Sequence, residues 1–184
     1  MIESRLIQDP NQLKEYFELR YKIFVEEQNA APKEFYPDGQ LKDDFDDEGL
    51  HIGCFLRDRL VGTMSLIVKK NDLLMIERVH NLKSDSNYKY AEAMRFIIVD
   101  DHETNKFGIK GKILFEILKK LRETLVELKI THVYLQSSEE GKSIYERIGF
   151  EQIGDFKMYE GISNECPMLL EVNKAKFNIY EGAK

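Results

Sequence analysis

Short apolar runs alternate with polar connections along the chain, and one long amphipathic stretch interrupts them, which predicts a mixed α/β order. Asp9-Pro10 supplies a helix cap with proline at the first helical position. Leu13, Phe17, Arg20 and Phe24 then recur at helical spacing, with Tyr16 and Ile23 beside them. Leu50 to Leu56 and Leu60 to Val68 read as two strands joined at Arg57-Asp58-Arg59, an antiparallel hairpin. Leu73 to Val79 is an apolar run whose spacing does not decide its type, and Asn81 to Ala91 is a polar connection. Ala93 to Val99 predicts a strand and Asp100 to Gly111 a polar loop. Lys112 to Leu128 predicts a helix, with Ile113, Leu114, Ile117, Leu118, Leu121 and Leu125 on one face. Ile130 to Leu135 is a further strand. Ser137 with Glu140 makes a capping box for a short helix carrying Ile144, Tyr145 and Ile148. Gly149 sits where a glycine ends a helix, Phe150 starts a return strand, and Met168 to Val172 is the last strand. The order is a helix, a hairpin, then strand–helix–strand–helix–strand, with a right-handed crossover at the central helix. The polar tail from Asn173 to Lys184 is expected to fray.

Within that pattern three places carry chemistry. Arg20 falls on the apolar stripe of the first helix, so it either snorkels to the surface or is buried against a carboxylate. The connection EEQNAAPKEFYPDGQLKDDFDDEGLH is long for a loop without secondary structure of its own, which marks it as functional or as a solvated acidic loop. Its run from Asp44 to Gly49 resembles the start of a calcium loop, but the twelfth position is Phe55 where a bidentate glutamate is needed, so calcium is rejected. Third, a strand feeding a glycine-bearing loop at a helix N-terminus, as between Glu92 and Leu128, is the arrangement that holds a pyrophosphate.

Composition narrows the classes. The 184 residues fit a single domain over 1–184, with 42% hydrophobic and 33% charged residues. No apolar run approaches the ~18 residues of a membrane span, and MIESRLIQDP lacks the apolar core of a secretion signal, so a cytoplasmic protein is expected. A net charge of −6 argues against a general nucleic-acid binder. Cys54 and Cys166 form no motif, and the four histidines have no metal-ligand spacing, so no metal is expected.

Three segments together resemble the GNAT superfamily of acyl-CoA-dependent N-acyltransferases over nearly the whole chain. Glu92-Ala-Met-Arg95-Phe96 is similar to the motif that begins the family's central strand. Gly108-Ile-Lys110-Gly111-Lys112-Ile113 stands where the family keeps its pyrophosphate loop, although Gly108 replaces the usual Arg or Gln and Ile113 the usual small residue. Ser143-Ile-Tyr145-Glu146-Arg147-Ile148-Gly149-Phe150 matches the family's tyrosine-bearing signature most closely. The resemblance implies a mixed central sheet splayed at the cofactor cleft, with flanking helices. It implies acetyl-CoA or another acyl-CoA bound at Ile98, Val99, Gly108, Ile109, Lys110, Gly111, Lys112 and Ile113, with backbone N–H groups from Ile109 to Ile113 on the pyrophosphate and one near the end of the Phe96–Val99 strand as oxyanion donor. Lys106, Lys110 and Lys112 either add charge there or are ordinary surface lysines.

A narrower resemblance covers the N-terminal half. Arg20 with Phe24, Asp43 and Asp46 in the acidic loop, and Glu92 with Arg95-Phe96 look like the acyl-homoserine-lactone synthases and equally like the N-acyl amino acid synthases. Against a lactone synthase, the chain has no tryptophan and has Met64-Ser65 where an arginine is expected. IFVEEQNAAP also resembles small acetyltransferases.

By resemblance, Tyr145 is the general acid for the leaving thiolate or simply packs the cleft, and Glu92 the catalytic base, with Glu77, Asp43 and Asp46 as other candidates. Arg20, Phe24, Asp43, Asp46 and Arg95 form the acceptor side, or else a structural ion network joining loop to core. Glu92 and Arg95, three apart on a strand, are expected on opposite faces. The implied activity is transfer of an acyl group, most simply acetyl, to the amine of a small molecule. The alternatives are a long-chain N-acyl synthase using acyl carrier protein or long acyl-CoA, which needs an apolar tunnel with Phe55, Met64, Leu66 and Phe96 as candidate liners, and a non-catalytic acyl-CoA-binding module. A monomer or homodimer is expected.

Overall fold

The computed structural model describes residues 1–159 and 163–177. Strand β1 (Ile2–Leu6) leads into helix α1 (Pro10–Arg20), which continues as π-helix over Tyr21–Glu27. Asp9 caps α1 by accepting from the N–H groups of Asn11 and Gln12, both at 3.0 Å. Two short 3₁₀ turns, Lys33–Phe35 and Asp44–Glu48, punctuate the acidic connection. The hairpin follows as β2 (Leu50–Leu56) and β3 (Arg59–Val68), then α2 (Met75–His80), β4 (Tyr90–Ile98), α3 (Ile109–Glu127), β5 (His132–Ser137) and α4 (Glu139–Ile148). Short β6 (Glu151–Gln152) and β7 (Lys157–Tyr159) precede β8 (Ser163–Glu171).

The strands form one mixed sheet in the order β1-β2-β3-β4-β5-β8-β6, with β7 paired to β8. Only the β4–β5 pair is parallel among the described strands, and α3 is its crossover. Helix α3 covers one face, packing Ile113, Ile117, Leu121 and Leu125 onto Ile52, Val61, Leu66 and Val133. Gly62 makes that contact close, since a Cβ there would stand 2.9 Å from Ile117 Cδ1. Helices α1 and α2 cover the other face. Phe17 and Tyr16 pack on Phe55 and Leu60, and Ile76 packs on Ile67, Tyr90 and Tyr134.

The mixed α/β order and both hairpin strands match expectation. Four readings are corrected. β1 and β7 were not foreseen, because neither is long enough to show a period. The ambiguous run at Leu73–Val79 is helical from Met75, where Glu77 turns back to accept from Leu74 N–H. Helix α3 begins at Ile109, three residues earlier than the apolar face suggests, because Gly108 adopts φ +74° and caps it. The cap of α4 is Ser138 rather than Ser137; Ser138 Oγ accepts from Gly141 N–H at 3.3 Å. Of the tail expected to fray, Val172–Lys174 forms a 3₁₀ turn and Phe177 is buried, while 178–184 lies outside the described residues.

Candidate active site

The site begins with a defect in the sheet. β4 and β5 pair only over Tyr90–Glu92 and His132–Tyr134, and beyond Glu92 they diverge. At the same place Met94 lies opposite Ser65 and Ile97 opposite Thr63, so Arg95 and Phe96 together face the single residue Met64. That is a β-bulge, and Arg95 sits in it at φ +56°, a conformation a non-glycine residue adopts at a cost of about 1 kcal/mol or more. Beyond the bulge Val99 N–H bonds to Val61 O at 2.9 Å. By strand alternation the N–H of Ile98 therefore faces away from β3, toward the gap left by β5. Ile98 keeps a free edge in the splay, whereas the Val99 donor is already used.

A cavity of about 180 Å³ fills the splay. Its apolar wall is Phe24, Met64, Ala93, Met94, Phe96 and Leu135, and its polar rim is Arg95, Gln136, Ser137, Ser138, Tyr145 and Glu165. Of the four expected tunnel liners, Met64 and Phe96 are here. Phe55 is instead buried beneath α1, with the Arg5 guanidinium 3.8 Å from its ring centroid, and Leu66 is core under α3. Larger grooves of about 720 and 780 Å³ run along the outer side of α3 around Phe177, edged by surface charges such as Lys119 and Glu123. Their titratable side chains, such as Glu127, His132 and Glu171, line no part of the cavity at the splay.

Tyr145 lies on the inner side of α4, its ring edge-on to Phe150 at 6.0 Å. Gly141, one turn earlier, keeps the space beside the ring open: a Cβ there would be 3.6 Å from Tyr145 Cε2. Burial pushes the phenol up to about 12, with the Glu165 carboxylate adding to the shift. The group is therefore a proton carrier across the neutral range.

At the other end of the cleft, α3 starts with its donors free. Among the described residues the N–H groups of Lys110 and Gly111 have no backbone acceptor, whereas Ile109 bonds to Lys106 O and Lys112 to Gly108 O. Nothing lies within 4 Å of where a Cβ would be on Gly108 or Gly111, so the approach is open. Ile113 belongs elsewhere: it is the fifth helical residue and is fully buried in the core. Lys106, Lys110 and Lys112 are all exposed there, and Lys110 Nζ is held by Asp100 at 2.9 Å.

The acceptor-side residues do converge, around Asp46. Arg20, fully buried, donates from Nη1 and Nη2 to Asp46 Oδ1 and Oδ2 at 2.7 and 3.0 Å. Arg95 Nη1 donates to Asp46 Oδ2 at 3.1 Å, and Arg95 Nη2 donates to Asp43. Asp43 N–H adds a bond to Asp46 Oδ2 at 2.9 Å. Arg20 is thus the buried, paired arginine, and Asp46 at least is no solvated loop residue. Phe24 reaches the cavity wall from the π-helical turn.

The expectation that Glu92 and Arg95 point to opposite faces is overturned. Glu92 Oε2 accepts from Ile76 N–H of α2 at 3.1 Å, while Arg95 meets the 3₁₀ turn whose Phe45 packs beside that same Ile76. The bulge inserts one residue and so cancels the alternation. Glu92 is 1% exposed, and burial raises its carboxyl to about 7 against the pull of the Ile76 and Met75 N–H groups. Glu77 is taken up structurally. Burial raises it, but bonds from Lys69, Ser84 and the Leu74 N–H outweigh that and leave it lowered.

A neutral chain beside the arginines was not read from the sequence. Tyr16 Oη and Ser65 Oγ are 2.8 Å apart, Ser65 Oγ and His51 Nδ1 3.2 Å, and His51 Nε2 donates to Asp46 O at 3.2 Å. Burial raises Tyr16 to about 12 and lowers His51, so each group is uncharged at neutral pH. It occupies the position where an arginine was expected at Ser65. A histidine and a serine in otherwise apolar strands were the only signal.

Comparison with known proteins decides the family. The family model for the N-acyl amino acid synthase FeeM matches residues 15–173. The chain belongs to the FeeM N-acyl amino acid synthase family. Like the other members of that family it is an acyltransferase. Among solved structures, FeeM, an N-acyl amino acid synthase from uncultured soil microbes, is 19% identical with TM-score 0.72, covering 95% of this chain and 92% of that one. The CoA-dependent acyl-homoserine lactone synthase BjaI, solved with SAM and isopentyl-CoA, is 19% identical with TM-score 0.70, covering 95% and 84%. Escherichia coli ElaA is 20% identical with TM-score 0.62, covering 93% and 100%. These likenesses give the GNAT-like fold. A comparison with curated proteins gives no match. Among the described residues no helix is long and apolar enough to cross a membrane, and no cluster of histidine, cysteine or carboxylate could hold a metal ion.

Proposed function

We propose that this FeeM-family acyltransferase moves a long acyl group from a phosphopantetheine thioester to the amine of an α-amino acid. The match of the FeeM N-acyl amino acid synthase model to residues 15–173 carries the reading, and it supports the long-chain alternative over acetyl transfer, the simplest reading of the sequence. The cavity at the β4–β5 splay, about 180 Å³ with an apolar wall and a polar rim, has room for the reacting atoms and a short stretch of chain, at ~30 Å³ for each water-sized group. The family's amino acid acceptors supply the other half of the proposal.

In this reading the diphosphate end of a CoA donor takes the free N–H groups of Lys110 and Gly111, favoured by the positive end of the α3 dipole. The thioester lies along the free edge of β4 at Ile98, with its acyl chain against Met64, Ala93, Phe96 and Leu135. The uncharged amine attacks the thioester carbon and a C–N bond forms. The carbonyl oxygen takes on negative charge, which the backbone N–H groups at the Arg95–Phe96 bulge are suited to stabilise. The C–S bond then breaks, the nitrogen loses its proton, and the thiolate is met by the Tyr145 hydroxyl, which remains protonated at neutral pH. Glu92, near 7, accepts the amine proton through solvent in the cleft or through an intervening polar group. Acyl carrier protein presents the same thioester arm without the nucleotide.

The test is turnover of a panel of acyl-CoA and acyl carrier protein thioesters against the common amino acids, followed as free thiol. Transfer of long chains to an amino acid supports the reading. Acetylation alone, or thioester binding without turnover, would remove it.

A further inference from the structure

One polar side chain in the cavity wall is held from behind by His80, a buried group that the reaction as described leaves idle, and lies beside Glu92, which that reaction uses. Gln136 lies on β5, on the face toward α2. Its Oε1 is 3.0 Å from His80 Nε2, and because an amide oxygen only accepts, His80 must donate there. Burial lowers the His80 basicity, so the ring is neutral with its one proton on Nε2, and its Nδ1 is buried without a partner. On the other side lies the Glu92 carboxyl, whose rise the nearby Gln136 amide opposes. Glu92 is itself buried, and its Oε1 has no hydrogen-bond partner among the described residues.

With Oε1 on His80, the Gln136 NH₂ group is left with hydrogens to give at the cavity wall. We infer that Gln136, locked by His80, is an acceptor-recognition residue: its free N–H donates to the carboxylate of the incoming amino acid and sets which acceptors are taken. The placement favours the acceptor over the acyl chain. Tyr145, Gly141 and Leu135 approach the cleft from the α3 side, whereas Gln136, Glu92 and Arg95 belong to the side of α1 and α2. The two arginines nearby, Arg20 and Arg95, are already paired with Asp43 and Asp46, which leaves the neutral amide of Gln136 to meet the acceptor's carboxylate.

The inference rests on amino acid acylation being the activity, and the test separates the two. Purified enzyme is assayed with a long-chain acyl-CoA on an amino acid and on its decarboxylated amine, for example tyrosine and tyramine. Gln136→Leu is expected to raise KM for tyrosine about 10- to 100-fold more than KM for tyramine, the range for one hydrogen bond to a charged group. His80→Phe, which removes the donor behind Gln136, should reproduce much of that rise, and His80→Gln, whose amide can donate from a similar place, should restore it. Equal loss for tyrosine and tyramine, or an unchanged KM for tyrosine in Gln136→Leu, overturns the recognition role while leaving the activity standing. A wild-type enzyme that acylates no amino acid overturns both.

Discussion

Arg20 of the first helix grips Asp46 of the acidic loop with both guanidinium nitrogens, at 2.7 and 3.0 Å, and neither side chain is exposed. Arg95, from the bulge in the central strand, shares the same carboxylate at 3.1 Å. One buried aspartate thus joins the helix, the loop and the strand that opens the cleft. Its removal leaves Arg20 buried without its carboxylate, and breaking a buried pair in this way costs about 3–5 kcal/mol. Asp46→Asn should lower the unfolding free energy by that amount, read as a lower urea midpoint with little change in slope. A loss under about 1 kcal/mol would show that the network contributes little to stability.

Glu92 makes stability depend on pH. Its carboxyl is raised from the usual glutamate value to about 7 by burial, so between about pH 4.5 and 7 the folded chain holds a proton that the unfolded chain has released. Stability must therefore fall as pH rises through that window, by up to about 3 kcal/mol for a shift of this size. Glu92→Gln should flatten the profile over the same window. The check is urea unfolding of both proteins at pH 5 and pH 8. Identical pH dependence in the two would contradict the assignment.

Tyr145→Phe keeps the ring against Phe150 and removes only the hydroxyl. A protonated phenol that meets the leaving thiolate should be worth about 10²-fold in kcat with KM unchanged. The defect should shrink with aryl thioesters, whose thiolates need less help in leaving. An equal defect for alkyl and aryl thioesters would make Tyr145 a packing residue.

Gly111→Ala separates helix stability from donor binding. Nothing occupies the space a Cβ would take, and alanine is the better helix former by up to about 1 kcal/mol, so the variant should be as stable as the parent or more so. The same Cβ would stand at the free N–H groups of the first turn. KM for acyl-CoA should rise, while KM for an acyl-pantetheine lacking the diphosphate should not. Equal effects on both donors would place the diphosphate elsewhere.

The long-period features of the fold were legible in the sequence, and the local exceptions were not. Ile113 to Leu125 repeat at helical spacing and duly cover the sheet, and Gly149 ends α4 at φ +113° as its position implied. The bulge at Arg95 has no such signature. It depends on β3 and β5 pulling β4 in two registers, which is a tertiary effect, and it alone reverses the facing of Arg95. Arg20 was legible as a charge on an apolar stripe that needs a partner, whereas Asp43, Asp46 and Arg95 came through the resemblance to the acyl-homoserine-lactone and N-acyl amino acid synthases. Gln136, His80, His51 and Ser65 are neutral and short in reach, so only the packed structure brings them together.

The central claim is that the splay at the Arg95 bulge holds a long acyl chain for transfer to an amino acid. The most direct measurement is kcat/KM for acyl-CoA donors from acetyl to palmitoyl with one amino acid acceptor held constant. The account predicts a rise with chain length and little or no turnover of acetyl-CoA. A profile that peaks at acetyl-CoA and falls with each added carbon would contradict it.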